Sequence, residues 1–192
     1  MSLLCVLPNL VTGLRLIAVP VVVVLIFESA WSAAFWLVVA AGLSDGIDGF
    51  LAKRLNAVTR LGTYLDPIAD KSLLVAVCLS LTYSGLLPGW IVALVILRDL
   101  LIVNGVVLSR LLALDLKVEP ILVSKLNTVL QLFLIGLVLG QPGIGLDLPQ
   151  LAGALIYLVA FTTIVSGTLY LLRWLQGLEA VPEVQLVRAD SK

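Results

Sequence analysis

Six mostly apolar stretches, each close to the roughly 20 residues that a membrane-crossing helix needs, occupy most of this 192-residue chain. They run Leu10–Phe27, Ala33–Lys53, Leu61–Tyr83, Trp90–Leu111, Leu122–Leu139 and Leu151–Leu172. Turn chemistry marks breaks between them: Ser84-Gly85 with Pro88-Gly89, Glu119-Pro120, and Gln141-Pro142-Gly143. Hydrophobic residues make up 61% of the chain and mean hydropathy is +1.16. No soluble domain of this size needs so much apolar surface. The expectation is an all-α integral membrane protein with six transmembrane helices. A short interfacial helix formed by the first residues is expected to precede them. One membrane domain is expected over 1–176, with a polar C-terminal tail over 177–192.

Basic residues set the expected orientation. The connections near Glu28–Ser32, Ser84–Gly89 and Gln141–Gln150 carry no Lys or Arg. The alternate connections carry Lys53, Arg54 and Arg60, then Arg110, Lys117 and Lys125, and the C-terminal segment carries Arg173, Arg188 and Lys192. Basic loops collect on the cytoplasmic side, which predicts both termini cytoplasmic. Trp31, Trp90 and Trp174 fall near expected span ends, where indole rings anchor helices in the interface. The N-terminus lacks a charged leader and a small-residue cleavage site, so the first apolar stretch is expected to be retained. Cys5 and Cys78 show no metal or redox spacing and read as small apolar residues. There is no His, and the twelve basic and twelve acidic residues balance. Chemistry must then run on carboxylates, Lys and Arg; the balanced charge itself says nothing about nucleic acid, and for a membrane protein no nucleic-acid partner is expected.

Four aspartates interrupt the apolar pattern: Asp45, Asp48, Asp66 and Asp70. A carboxylate at membrane depth costs several kcal/mol unless a partner compensates it. Asp45 and Asp48 are three apart and Asp66 and Asp70 four apart, so each pair shares one face of its helix. The two helices are consecutive and joined by a short basic loop, which makes them expected antiparallel neighbours with their acidic pairs at similar depth. Four converging carboxylates repel unless cations stand between them. Two divalent ions, Mg²⁺ or Mn²⁺, would neutralise all four. Gly46, Gly49, Ala52 and Gly62 allow either close helix packing or close approach of a ligand to the backbone. Lys53, Arg54 and Arg60 can hold phosphate oxygens or serve only as topology charges.

The run Asp45-Gly46-Ile47-Asp48-Gly49-Phe50-Leu51-Ala52-Lys53, followed by Gly62, Asp66 and Asp70, resembles the signature of the CDP-alcohol phosphotransferases. That pattern reads D-x2-D-G-x2-A-R-x8-G-x3-D-x3-D. Each fixed position matches except that Lys53 stands where the family has Arg, and Lys lacks the bidentate fork of a guanidinium. The resemblance implies a CDP-linked lipid bound with its diphosphate on a two-metal site. It implies that Asp45, Asp48 and Asp66 are metal ligands. Asp70 would both ligate metal and take the proton of the attacking alcohol. Gly49, Ala52, Lys53 and Gly62 would line the cytidine diphosphate pocket. Homodimers are common in the family, and a homodimer is an implied partner arrangement.

The opening Leu7-Pro8-Asn9-Leu10-Val11-Thr12-Gly13-Leu14-Arg15 resembles the start of bacterial phosphatidylglycerophosphate synthases and of eukaryotic-type cardiolipin synthases. Arg15 either meets phosphate or snorkels to the headgroups. Arg98-Asp99, Ser124-Lys125-Leu126-Asn127-Thr128 with Gln131, and Ala160-Phe161-Thr162-Thr163 are similar to the cardiolipin synthase version. Phosphatidylglycerophosphate synthases tend to carry a second lysine where Asn127 stands. A lipid monoanion needs fewer cationic donors than the dianion glycerol 3-phosphate. Arg98, Lys125 and Asn127 are therefore expected acceptor contacts, although Arg98-Asp99 also reads as an intramembrane structural pair. The implied reaction is metal-dependent phosphatidyl transfer from CDP-diacylglycerol to phosphatidylglycerol, giving cardiolipin and CMP. Glycerol 3-phosphate is the alternative acceptor. The expected location is the bacterial inner membrane, with the active site facing the cytoplasm.

Two other classes compete. Intramembrane carboxylates also mark cation transporters, but this chain has no inverted repeat and its acidic cluster lies toward one membrane face. Prenyltransferases share metal–diphosphate logic, but they need two acidic motifs and this chain has one.

Overall fold

The computed structural model describes the backbone over 3–55, 60–111 and 122–179, and side chains over 13–44, 69, 71–105 and 122–176. Among these residues the structure is entirely helical: α1 (Leu3–Phe27), α2 (Trp31–Leu55), α3 (Arg60–Tyr83), α4 (Gly89–Leu111), α5 (Leu122–Ile144) and α6 (Pro149–Glu179). Each corresponds to one apolar stretch of the sequence. Two helical segments, Leu122–Ile144 and Pro149–Gln176, are long and apolar enough to cross a membrane. Shorter apolar stretches occupy Gly13–Phe27, Trp31–Ser44 and Lys71–Tyr83.

Two expected boundaries are corrected. Among the described residues, those expected to form a separate interfacial helix are part of α1, which runs unbroken from Leu3. Its 25 residues extend about 37 Å at 1.5 Å per residue. Gln141-Pro142-Gly143 does not break α5, which continues to Ile144 with Pro142 inside it. Proline removes one backbone donor from a helix, and one such loss near a helix end is tolerated. The turn falls instead at Gly145, whose φ of 73° suits glycine. Leu146 N–H closes it by donating to the Gly140 carbonyl at 3.2 Å. Gly143 has a packing role: a Cβ there would stand 3.0 Å from the Trp31 carbonyl oxygen and 3.1 Å from Phe35 Cβ. At the other end of the chain, α6 passes Gly177 and reaches Glu179.

The chain packs as two compact units, Met1–Val92 with Leu132–Gly153 and Ala93–Gln131 with Ala154–Lys192. In the first, α1 lies against both α2 and α3. Val22 and Ile26 of α1 are buried, as are Ala69, Leu73, Val77 and Leu81 of α3, four residues apart along one helix face. Phe27 and Tyr83 close this end edge to face at 5.2 Å.

The second unit is turned inside out relative to a soluble protein. On α6 the outward side carries Tyr157, Leu158, Phe161, Ile164, Leu171 and Leu172. The inward side carries Val159, Thr162, Thr163, Ser166 and Tyr170. Water would select the opposite arrangement. Polar residues facing neighbouring helices and large apolar residues facing outward suit a hydrocarbon exterior.

Helix ends are closed by recognisable devices. After α3, Leu86 N–H donates to the Leu81 carbonyl at 2.9 Å and Gly85 N–H to that of Thr82 at 3.0 Å, with Gly85 at φ 74°. The same pair of bonds follows α1: Ala30 N–H to Leu25 at 2.8 Å and Ser29 N–H to Ile26 at 3.1 Å. There the left-handed position is held by Ser29 at φ 57°, not by glycine. A side chain in that region costs about 1 kcal/mol or more. Ser29→Gly is therefore expected to stabilise the protein by up to about 1 kcal/mol. The check is the thermal unfolding midpoint in detergent. An unchanged or lower midpoint would show that the serine carries no strain.

Candidate functional site

The polar side chains of the second unit converge on Arg98 of α4. This residue is 5% exposed and carries a permanent charge. Its Nη1 donates to Asp99 Oδ1 at 2.7 Å. Its Nη2 donates to Ser166 Oγ on α6 at 2.7 Å and to Ser124 Oγ on α5. The Tyr170 ring lies with its centroid 6.0 Å from Arg98 Cζ, at the outer limit for a cation–π contact. Gly167 leaves room for the arginine stem, since a Cβ there would lie 3.5 Å from Arg98 Cγ. A buried guanidinium needs both countercharge and hydrogen-bond acceptors, and α4, α5 and α6 each supply some.

One turn along α5 from Ser124 lies Asn127, fully buried. Thr163 Oγ1 donates to Asn127 Oδ1 at 3.0 Å. Thr162 Oγ1 approaches the same oxygen at 2.8 Å and also the Leu158 and Val159 carbonyls of its own helix at 3.0 and 3.1 Å. One turn further is Gln131, 3% exposed. Arg98 Nε, Asn127 Nδ2 and both amide atoms of Gln131 are buried without a hydrogen-bond partner.

The acidic motif lies on α2 and α3. Both helices are continuous through it, so Asp45 and Asp48 fall on one side of α2, and Asp66 and Asp70 on one side of α3. Gly49, Ala52 and Lys53 share the first helix and Gly62 the second. The side chains of all eight lie outside the described residues. As a donor set, four carboxylates spaced one helical turn apart within each pair fit hard divalent cations.

Of the expected acceptor contacts, Arg98 and Asn127 are brought together on one polar face through Ser124. Lys125 is exposed and stands two residues before Asn127, about 200° round the helix, so it does not join that face. Arg15 belongs to the first unit and is only 5% exposed, which is not the open placement of a snorkelling side chain. The pairing of Arg98 with Asp99 read from the sequence is present. Sequence reasoning missed Ser166 and Tyr170 as partners of Arg98, and gave Gln131 no role of its own. The signal was the polar periodicity of α6, where Thr162, Ser166 and Tyr170 recur every four residues in an apolar helix.

Residues 5–165 match the family model described as CDP-alcohol phosphatidyltransferase. A protein from Oryza sativa subsp. japonica, "CDP-diacylglycerol--glycerol-3-phosphate 3-phosphatidyltransferase 1, chloroplastic", is 37% identical over 188 residues, covering 88% of this chain and 57% of that protein. The "Cardiolipin synthase (CMP-forming)" of Homo sapiens is 31% identical over 179 residues, covering 85% of this chain and 60% of the human one. The chain thus spans little more than half the length of these two relatives. A Rickettsia typhi protein, "CDP-diacylglycerol--glycerol-3-phosphate 3-phosphatidyltransferase", is 34% identical over 170 residues, covering 85% of this chain and 94% of the rickettsial one. The matched region contains the acidic motif and most of the Arg98 face, and the chain belongs to the CDP-alcohol phosphatidyltransferase family.

Proposed function

We propose that the chain transfers the phosphatidyl group of CDP-diacylglycerol to a hydroxyl of phosphatidylglycerol, giving cardiolipin and CMP. The observation that carries this reading is the aspartate motif at family spacing on two continuous helices. In the transfer, the acceptor hydroxyl oxygen forms a bond to the phosphorus that bears diacylglycerol. The diphosphate P–O bond breaks and CMP departs with the bridging oxygen. Asp70 accepts the hydroxyl proton. Lys53 holds diphosphate oxygens, and Gly49, Ala52 and Gly62 leave room for the nucleotide against the backbone. Asp45, Asp48, Asp66 and Asp70 would hold two divalent ions, Mg²⁺ or Mn²⁺. Such ions, when bound, offset the charge of the diphosphate and of the leaving group.

The setting we infer is a six-span membrane domain over 1–176, with both termini and the active site on the cytoplasmic side of a bacterial inner membrane. The alternation of basic and uncharged connections supports that orientation. A homodimer is the inferred assembly, by analogy with the family.

Phosphatidylglycerol is favoured by the charge balance at Arg98, which Asp99 already pairs, and by the uncharged Asn127 beside it. Glycerol 3-phosphate is the second reading, and the names of the rice and rickettsial relatives favour it. The deciding assay uses purified protein in detergent micelles with CDP-diacylglycerol and Mg²⁺, offering each acceptor separately and following CMP and lipid product. Cardiolipin with phosphatidylglycerol alone is the expected result. Product with glycerol 3-phosphate alone would overturn the acceptor assignment, and no CMP with either would overturn the reaction.

Two variants test individual roles. Asp70→Asn is expected to lower turnover at least about 100-fold while leaving CDP-diacylglycerol binding nearly intact; normal turnover would remove the general-base role. Lys53→Arg is expected to leave the donor KM unchanged or lower it, because a guanidinium fork suits phosphate oxygens. A large rise in that KM would show that lysine itself is required.

A further inference from the structure

Arg15 of α1 is a permanent charge only 5% exposed inside the first unit, and it is engaged by a neighbouring group. Leu14, Leu16 and Ile17 beside it are exposed, so Arg15 stands on the inward side of α1, the side that also buries Val22 and Ile26. That side meets α2 and α3, the two helices that carry the aspartate motif. A buried guanidinium needs a countercharge. The first unit has six carboxylates: Glu28, Asp147 and the four of the motif. Glu28 and Asp147 are exposed. Glu28 follows the end of α1, about 20 Å beyond Arg15 at 1.5 Å per residue. Asp147 follows the Gly145 turn at that same end, where Gly143 meets Trp31. The countercharge for Arg15 is left to the motif.

Depth singles out one aspartate. The C-terminal ends of α1 and α3 meet at Phe27 and Tyr83, whose ring centroids are 5.2 Å apart, so these two packed helices run parallel. Equal steps back from this contact reach Arg15 on α1 and Lys71 on α3, and Asp70 is one residue, about 1.5 Å, further. Helical register puts Asp70 in line with Leu74, Val77 and Leu81, all buried. Lys71 is about 100° round α3 from that line and is partly exposed. Asp66 lies a full turn beyond Asp70. On α2, counted from the turn after α1, Asp45 falls about 3 Å past the level of Arg15, and Asp48 farther still.

We propose that Arg15 pairs with the Asp70 carboxylate and is a positioning residue for the transfer. The pairing rests on the placement of the helices; the positioning role rests on the reading of Asp70 as the acceptor of the hydroxyl proton. A guanidinium fork holds a carboxylate by two parallel bonds, which fixes the direction from which Asp70 meets the attacking hydroxyl. Arg15 is then a contact of the protein's own carboxylate and not of a substrate phosphate.

The pairing is tested in metal-free protein in detergent, without substrate, by double-mutant cycles read as thermal unfolding midpoints. Arg15→Met should lower the midpoint, because it leaves a buried carboxylate uncompensated. Asp70→Asn should then be more favourable in the Arg15→Met protein than in wild type, by about 5 °C or more. Asp45→Asn, Asp48→Asn and Asp66→Asn relieve repulsion among the carboxylates in both backgrounds and should show smaller coupling. Where Arg15→Met alone yields no folded protein, its recovery by Asp70→Asn is the same result. Equal effects of Asp70→Asn in both backgrounds, or larger coupling with another aspartate, overturn the pairing. The role is read in Arg15→Lys, which keeps the charge and loses the fork. Its kcat should fall about 10-fold, as when a group that orients a site residue is altered, with the KM of CDP-diacylglycerol unchanged. A raised donor KM at unchanged kcat would make Arg15 a phosphate contact, and unchanged kcat and KM would leave it structural; either overturns the positioning role. Strong coupling in a protein whose wild type releases no CMP would remove the reaction and keep the pairing.

Discussion

A polar group inside this protein must find its partner within the protein, because the outward surfaces of its helices are apolar. That constraint accounts for many local details. Ser44, Ser80, Thr82 and Thr128 each turn the hydroxyl back onto the carbonyl one turn earlier, at Ala40, Ala76, Cys78 and Ser124. The ends of α1 and α3 close their last carbonyls with reverse-turn bonds even where, as at Ser29, a side chain must enter the left-handed region. The Arg98 charge is met by a carboxylate from its own helix and hydroxyls from two others. Removing any one of these would leave an uncompensated group where water is scarce, which is costlier than the bond itself is strong.

Against that background the exceptions carry meaning. Asn127 and Gln131 sit on the same face as Arg98, and Asn127 Nδ2 and both Gln131 amide atoms are left over, as is Arg98 Nε. Packing alone would be served better by Leu or Met at Gln131, with no desolvation penalty. Thr162 and Thr163 fix the Asn127 amide from one side, which is the kind of support that holds a binding group in place.

The helices were legible in the sequence because hydrocarbon-length apolar runs leave little choice of structure. Ser84-Gly85 and Pro88-Gly89 marked the α3–α4 turn correctly, since a glycine at φ 74° and a helix starting after proline are local chemistry. Gln141-Pro142-Gly143 misled because its composition is that of a turn while its surroundings are not. Gly143 is there to admit the backbone of α2 at Trp31, a contact between residues more than a hundred positions apart. In the site, the motif spacing exposed the aspartates, and Arg98 was visible as a charge in an apolar helix. Ser166 and Tyr170 were not visible as its partners, because no local pattern says which serine on α6 faces a residue on α4. Lys125 and Asn127 looked like one acceptor set by proximity in sequence, but two residues on a helix point nearly opposite ways.

The charge of the Arg98 face bears on what it can accept. Arg98 and Asp99 together contribute no net charge, and Ser124, Asn127, Gln131, Thr162, Thr163 and Ser166 contribute none. Lys125, the next cation along α5, is on the exposed side. A dianionic phosphate drawn into this face would bring two negative charges to an arginine already paired with Asp99, with Arg98 Nε as its remaining donor. A phosphodiester carries a single charge and can keep it near the headgroup region while only its hydroxyls enter. Neutral amides beside an already neutralised guanidinium thus form a surface that rewards hydroxyl groups and penalises additional charge. That preference follows from the partners Arg98 already has, more than from the presence of the arginine itself.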